Sequence, residues 1–149
     1  MRSGIGKDIE FSFEESVSFE GNSGPYLQYT YVRTKSILEK SKTKNQKSKI
    51  DVSLSEARGT ALEFEERQIL VYLSRYNEII SEAAESFSPN IVTTYLFELA
   101  QLFNLFYQKY PILKADEDLK NFRLALTRSV GIIFKEGLHV LGIQAPERM

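Results

Sequence analysis

The sequence contains no cysteine and a single histidine, His139. The lack of cysteine excludes disulfides, thiolate metal ligands and a cysteine nucleophile, and it fits a reducing compartment. One histidine offers little for a zinc site or a Ser-His triad, and its apolar neighbours near a predicted helix end favour a structural role. The acidic residues show no metal-ligand spacing, and no glycine-rich phosphate loop precedes a helix. We therefore expect no catalysis by this chain alone, and neither a cofactor nor a metal site.

Long hydrophobic runs are also absent. No window approaches the roughly eighteen uncharged apolar residues that a membrane span needs. Residues 1–20 run into alternating Phe and Glu, so they lack the continuous apolar segment of a signal peptide. These absences predict a cytoplasmic protein with no membrane partner.

Composition and charge are those of an ordinary globular protein. The 149 residues are 42% hydrophobic and 26% charged, which predicts one folded domain over residues 1–149. The net charge of −1 gives no bulk sign of nucleic-acid binding. Between positions 33 and 49, however, seven Lys or Arg residues and one Glu give a local excess of +6. A contact with phosphate groups must therefore be argued locally.

Apolar residues recur every three or four positions and predict an all-α helical bundle. Pro25 suits the first turn of a helix, Ser88-Pro89 is typical of an N-cap followed by first-turn proline, and the acidic cluster from Asp116 complements a helix dipole. Gly142 is expected to form the C-cap of the last helix. Four helices are predicted, over about 25–40, 62–87, 89–110 and 116–141, the third being the central and most buried one.

Two segments outside these helices are predicted to be irregular. The alternation of Ile9–Phe13 indicates a short extended N-terminal arm, and the polar, lysine-rich stretch Lys40–Ser55 indicates a mobile loop. Within the last helix, Gly131 and Gly137 each cost about 1 kcal/mol relative to alanine. Their presence predicts that another helix packs closely against both.

Three segments resemble parts of the arginyl-tRNA synthetases. The first, Phe19–Arg33, contains Tyr-Leu-Gln-Tyr-Thr-Tyr-Val-Arg and is similar to the Tyr-x-Gln-Tyr-x-x-x-Arg core that opens the family's C-terminal helical domain. The second, Phe103–Tyr107, resembles the aromatic stretch of the family's central helix. The third starts at Phe122–Leu126 and continues through Gly137–Met149, closing on Ala-Pro-Glu-Arg-Met. The segments occur in the family's order and span nearly the whole chain, with least similarity in the lysine-rich loop.

The resemblance implies the anticodon-binding, DALR-type domain of a class I aminoacyl-tRNA synthetase. Its implied partners are arginine tRNA and the enzyme's own catalytic domain, and the central cytosine of the anticodon is the base implied to be read most strongly. The family's two ATP-binding signatures, of the His-Ile-Gly-His and Lys-Met-Ser-Lys types, occur nowhere in the sequence. We therefore expect a C-terminal fragment that binds tRNA and cannot activate arginine.

The first resembling segment supplies the leading candidate for the tRNA-binding site. Tyr26 and Tyr29 are three residues apart and Arg33 lies four beyond, so a helix places them on one face. Unstacked RNA bases stack on aromatic rings and are hydrogen-bonded along their edges, which this face could provide. The residues alone leave open that the tyrosines belong to a half-buried core and that Arg33 is a surface charge.

Two further groups complete the candidate tRNA-binding residues. Phe106, Tyr107 and Tyr110 form a second aromatic platform, although Phe106 also fits the core stripe and both tyrosines need not be exposed. For Arg148 and Met149 the resemblance alone implies a tail packed near the anticodon pocket, and the alternative is a disordered terminus. The lysine-rich loop is interpreted as a solvated linker with, at most, a salt-sensitive attraction for phosphate.

Two functions from different classes remain open at this point. One is an RNA-binding module of a tRNA ligase, and the other is a helical protein-interaction or assembly domain without an RNA site. A monomer with an open aromatic face favours the first. A symmetric dimer that buries Tyr26, Tyr29 and Tyr107 favours the second.

Overall fold

The computed structural model of the chain describes residues 23–44 and 62–149. All regular elements within these ranges are helices, which confirms the predicted all-α class. They are α1 (Gly24–Lys44), α2 (Phe64–Ser74), α3 (Tyr76–Glu85), α4 (Pro89–Lys109) and α5 (Glu117–Val140). The expected extended arm near residues 9–19 and most of the expected mobile loop lie outside the described residues.

The start of α1 follows the sequence prediction, but its end does not. Pro25 lies in the first turn, and the hydroxyl of Ser23 accepts a hydrogen bond from the backbone N–H of Tyr26 at 3.3 Å. The helix continues to Lys44, past the predicted end near Lys40. Ser41 explains part of the extension, because it is buried and its hydroxyl donates to the Leu38 carbonyl at 2.6 Å.

The helix predicted over 62–87 is in fact two helices, which corrects the expected count of four. The break falls at Arg75, whose backbone N–H donates to the carbonyl of Tyr72 at 3.2 Å, three residues back rather than four. The hydroxyl of Tyr95 on α4 donates to the same carbonyl at 2.7 Å. The Tyr72 carbonyl is the group to which Tyr76 would donate in one continuous helix, and here it accepts the tertiary hydrogen bond from Tyr95 instead.

Helix α4 packs against every other described helix, as expected for a central element. Ser88 occupies its N-cap position and Pro89 its first turn, although the Ser88 hydroxyl donates to the Ser86 carbonyl instead of capping the helix. The core of α4 includes Leu96, Leu99 and Phe103, all fully buried. Burial of such side chains stabilises the fold by roughly 1.5–3 kcal/mol each.

The two glycines within α5 lie where α5 meets its neighbours, which confirms the predicted close packing. A Cβ at Gly131 would lie 2.8 Å from the Thr34 hydroxyl on α1, and one at Gly137 would lie 2.8 Å from both terminal methyls of Leu96 on α4. Any larger residue at either position would force the neighbouring side chain or the helix that carries it to shift. Helix α5 can therefore approach both α1 and α4 closely.

Helix α5 ends in a Schellman motif, the glycine termination that the sequence predicts. Gly142 has φ +70° and donates to the His139 carbonyl at 2.9 Å, while Ile143 donates to the Leu138 carbonyl at 2.8 Å. His139, which the sequence analysis assigned a structural role, is exposed in the last helical turn. The turn directs the C-terminal residues back toward α1, where a pocket forms.

Candidate nucleic-acid interface

A pocket of about 770 Å³ opens where α1, α4 and the chain end meet. A cavity of this size falls in the range of small-molecule sites, about 300–1,000 Å³, and is large enough for a nucleobase. Its lining residues are Tyr26, Tyr29, Arg33, Asn104, Gln108 and Met149. Four of these six were candidate residues from the sequence.

Helix α1 forms one wall of the pocket because one of its faces is buried in the bundle and another faces the pocket. Leu27, Thr30 and Thr34 are buried toward the bundle, so the helix turns Tyr29 and Arg33 toward the pocket. The Tyr29 ring is 43% exposed and is therefore accessible. Tyr26 is held more firmly, since its ring packs on Phe97 of α4 with the ring centroids 5.5 Å apart.

The guanidinium of Arg33 is fixed by aromatic and amide contacts. Its Cζ lies 4.8 Å from the ring centroid of Tyr29 and 5.2 Å from that of Tyr107, distances at which cation–π attraction operates. Its Nη2 donates to the Tyr29 hydroxyl at 3.0 Å and its Nη1 to the Asn104 Oδ1 at 2.6 Å. These contacts orient a positive charge beside an exposed ring.

Asn104 is the main pocket residue that the sequence analysis did not identify as a candidate. Its Nδ2 lies 3.1 Å from the Tyr26 hydroxyl and 3.3 Å from the Thr30 hydroxyl, and its Oδ1 accepts from Arg33. One amide thus ties α4 to three side chains of α1. The position of Asn104 in the sequence could have indicated this role. Asn104 interrupts the apolar run of α4 and is followed one turn later by Gln108, so the two amides depart from the core pattern.

The end of the chain forms the remaining wall. Gln28 Nε2 donates to the backbone carbonyl of Gln144 at 2.8 Å, and Lys35 forms an ion pair with Glu147. The hydrogen bond from Lys35 lowers the pKa of the Glu147 carboxyl below its usual value. Met149 lines the pocket, whereas Arg148 is exposed and does not line it.

The structure separates the three residues of the second aromatic platform that the sequence suggests. Phe106 is fully buried, with its ring centroid 6.1 Å from that of Phe103 and 5.9 Å from that of Tyr110, so it cannot offer a face to a base. Successive residues of a helix point about 100° apart, which is why Tyr107 reaches Arg33 while Phe106 enters the core. Tyr107, 42% exposed, is the member of this platform that borders the pocket.

Tyr110 belongs to a separate polar cluster, which forms where the C-terminal end of α4 meets the start of α2. Its hydroxyl donates to the Glu65 carboxylate at 2.7 Å, and this bond raises the pKa of Tyr110 to about 12. Lys109 forms an ion pair with the same buried carboxylate, and its hydrogen bond, helped by that of Tyr110, lowers the pKa of Glu65 to about 2. This cluster connects the start of α2 to the end of α4.

A buried ion pair lies beside this cluster. Arg123 of α5 donates through Nε to the Glu66 carboxylate at 2.8 Å and through Nη1 to the Pro111 carbonyl at 2.9 Å, and its guanidinium lies 5.1 Å from the Tyr110 ring centroid. The side chains of Arg123 and Glu66 are 5% and 1% exposed. Arg123 therefore has a structural role in joining α2, α5 and the 111–116 connection.

Residues 23–44 and 62–149 contain neither a cluster of metal-ligating side chains nor a membrane-spanning helix. No group of three or more His, Asp or Glu side chains there is placed to hold a metal ion. None of the described helices combines the length and hydrophobicity needed to cross a membrane.

Comparison with solved structures defines the class of the fold. The chain superposes on a Thermus thermophilus arginyl-tRNA synthetase with a TM-score of 0.82 and 34% identity, over 96% of this chain and 24% of that one. A Plasmodium falciparum arginyl-tRNA synthetase gives a TM-score of 0.81 at 20% identity, a likeness of fold alone. The described helices thus form an all-α domain of the type that arginyl-tRNA synthetases carry.

The family follows from sequence comparison. The profile of the DALR anticodon binding domain matches residues 27–149, and the chain belongs to this family. The arginine–tRNA ligase of Thermococcus kodakarensis is 40% identical over 143 residues, which are 96% of this chain and 22% of that protein. The ligase of Clostridium acetobutylicum is 37% identical over 155 aligned residues, covering the whole chain and 25% of that protein. The chain thus spans about a quarter or less of these relatives' length.

Proposed function

We propose that the chain is the anticodon-binding domain of an arginyl-tRNA synthetase and that its pocket receives an unstacked base of the arginine-tRNA anticodon loop. The observation that carries the proposal is the convergence of two tyrosine rings, one oriented guanidinium and two side-chain amides on one open pocket. Single-stranded RNA is bound by this combination of stacking surfaces, positive charge and hydrogen-bonding edges. The DALR family match supports the same function.

The pocket chemistry suits a base that offers both donors and acceptors. A guanidinium has five N–H donors, of which two are engaged by Asn104 and Tyr29, so Arg33 retains N–H groups for a base edge or a phosphate. Gln108 adds an amide that can both donate and accept. Cytosine presents an amino donor beside ring acceptors, and we propose that the central cytosine of the anticodon is the base recognised.

In this proposal, arginine is activated with ATP by a catalytic domain that corresponds to the part of the full-length relatives outside this chain. The 149 residues lack both ATP-binding signatures, so this domain binds tRNA for a catalytic domain that performs the ligation. We also propose that residues 1–149 act as one domain, because the described helices share a single core. We propose that this domain is cytoplasmic, since a chain without cysteine fits a reducing compartment.

The test is the affinity of the chain for labelled anticodon stem-loops, measured by fluorescence anisotropy across a range of salt concentrations. Tyr29→Ala should cost roughly 1–3 kcal/mol of binding to the arginine stem-loop, and Tyr29→Phe should retain most of the stacking. Arg33→Ala should weaken binding and flatten the salt dependence by about one unit if Arg33 neutralises a phosphate. If it reads a base edge instead, preference at one anticodon position should relax without a change in slope.

Phe64→Ala provides the matched control for the aromatic substitution. Phe64 is 68% exposed at the start of α2 and does not line the pocket, so its removal should leave RNA affinity unchanged. Unchanged melting temperatures exclude loss of folding. No measurable preference for the arginine stem-loop, together with a dimer that protects Tyr29, would favour the assembly function instead.

A further inference from the structure

The C-terminal segment after Gly142 lies along α1 without helical structure. Its first part packs on the bundle through Ile143 and Ala145. Two side chains of α1 then hold it: Gln28 through the Gln144 carbonyl and Lys35 through the Glu147 carboxylate. Two residues farther on, Met149 becomes part of the pocket wall.

The spacing of these two contacts matches the geometry of both segments. Gln28 and Lys35 are two helical turns apart, which is about 10.5 Å along the axis of α1. An extended chain covers about 10 Å in the three residues from Gln144 to Glu147. The chain bends at Glu147, and this bend precedes the residue that enters the pocket. Helix and tail are thus in register at both contacts.

We propose that Gln28, Lys35 and Glu147 are positioning residues that hold the C-terminal tail so that Met149 closes one side of the anticodon pocket. The inference deepens the proposed function and rests on it. Gln28 and Lys35 need not touch RNA in this account, because they act through the tail.

The holding contacts are individually weak. Lys35 and Glu147 have side chains 26% and 85% exposed, and an exposed ion pair shifts an equilibrium by only about 1.4- to 5-fold. A hydrogen bond such as that of Gln28 adds about 2- to 12-fold. Removing one contact should therefore lower the docking equilibrium constant of the tail severalfold without unfolding the bundle.

Glu147→Gln distinguishes the positioning role from a direct attraction between Lys35 and RNA, because the two predict opposite changes in RNA affinity. The substitution removes a negative charge and frees Lys35, so a direct attraction between Lys35 and phosphate predicts tighter RNA binding. The positioning role predicts weaker binding, by about 2- to 5-fold. Glu117→Gln is the matched control, because Glu117 is also an exposed carboxylate paired with a lysine, Lys120, but lies at the opposite end of α5 from the tail.

The position of the tail can be measured without RNA. The chain contains two methionines, Met1 and Met149, so methyl-labelled methionine gives two resonances, and Met149→Ala assigns them by removing one. In the wild type the Met149 resonance should be displaced from that of a mobile methionine by the tyrosine rings of the pocket. Gln28→Ala, Lys35→Gln and Glu147→Gln should each move it toward the mobile position, and Lys35→Arg should restore it.

The outcomes separate the two proposals. A Met149 resonance that is unchanged in all three variants, with RNA affinity also unchanged or increased in Glu147→Gln, overturns the positioning role and leaves the anticodon function standing. Loss of the arginine stem-loop preference in the wild type removes the anticodon function, while the methyl resonances still report on the tail. In a Met149→Ala background, Glu147→Gln should cause no additional loss of RNA affinity, and a full additional loss contradicts action through Met149.

Discussion

The Arg33 guanidinium and the Asn104 side-chain amide meet at 2.6 Å, a contact between residues 71 positions apart that joins α1 to the central helix. The same amide donates toward the hydroxyls of Tyr26 and Thr30. The pocket is therefore organised from its inner side by one residue that needs no contact with RNA. Short, charge-assisted hydrogen bonds of this kind hold geometry better than neutral ones.

Asn104→Ala should lower both stability and RNA affinity. The truncation leaves Arg33 and the Tyr26 hydroxyl without their shared partner, and we expect a loss of about 1–2 kcal/mol in the free energy of unfolding. Urea denaturation measures the loss. Gln101→Ala on the exposed side of α4 is the control and should stay within about 0.5 kcal/mol of the wild type. Equal stability of the two variants would show that the amide does not organise the pocket.

Gly137→Ala tests the close approach of α4 and α5. The new methyl would lie 2.8 Å from both terminal methyls of Leu96 and 3.2 Å from its Cγ, and Leu96 is fully buried. Overpacking costs about 1–3 kcal/mol, and we expect a cost above the roughly 1 kcal/mol that alanine gains in helix propensity, because the new methyl meets three atoms of Leu96 at 2.8–3.2 Å. The melting temperature should therefore fall. Gly24→Ala meets no atom within 4 Å and should be neutral or slightly stabilising, and a Gly137→Ala protein as stable as that control would contradict the packing.

Removing one partner of the buried Arg123–Glu66 pair should be among the most damaging changes in the described residues. Arg123→Met leaves the Glu66 carboxylate 1% exposed and without its cation, at a cost of about 3–5 kcal/mol. Glu117→Gln weakens the more exposed pair that Glu117 forms with Lys120, and it should cost at most about 1 kcal/mol because the Glu117 side chain is 65% exposed. Denaturation midpoints at neutral pH check the difference, and similar losses in both variants would show that burial does not set the cost.

The lowered pKa of Glu65 predicts that the stability of the fold decreases over a defined range of acidic pH. Its folded-state pKa of about 2 lies below the usual value, so its contribution to stability is present above about pH 4.5 and is lost as pH falls toward 2. Glu65→Gln lacks this ionisation, and the gap in melting temperature between it and the wild type should narrow across that window. A gap that stays constant from pH 7 to pH 2, or that closes above pH 5, would contradict the role of the Lys109 and Tyr110 hydrogen bonds.

Helix starts could be predicted from the sequence because their causes are local. Pro25, Pro89 and the Asp116 N-cap each mark a helix start within the neighbouring residues. Close packing at Gly131 and Gly137 could be predicted from their cost in helix propensity, but the partner residues Thr34 and Leu96 could not, because they are distant in sequence. The break at Arg75 could not be predicted in this way. The Tyr72 carbonyl at this break accepts from the Tyr95 hydroxyl, which is 23 residues away, and such a tertiary contact leaves no signal in the neighbouring sequence.

Residue spacing could predict the wall of the pocket that α1 forms, but not the wall that α4 forms. The three-and-four spacing of Tyr26, Tyr29 and Arg33 places them on one face whatever the partner helix is. Helix α4 is apolar around most of its circumference, so periodicity could not decide that Phe106 faces the core while Tyr107 faces Arg33. The role of Asn104 depends on which turn of α4 meets α1, which is a property of the tertiary packing.

The affinity of the chain for two anticodon stem-loops that differ only in the central base tests the account most directly. A pocket that pairs its polar groups with the cytosine edge leaves them unsatisfied when uracil enters. Replacing the central cytosine by uracil should cost roughly 1–3 kcal/mol, about 5- to 150-fold in Kd, whereas exchanging a stem pair should cost little. Equal Kd values for the cytosine and uracil stem-loops, with Tyr26, Tyr29 and Arg33 all replaced by alanine to no effect in a folded protein, would contradict anticodon recognition by this pocket.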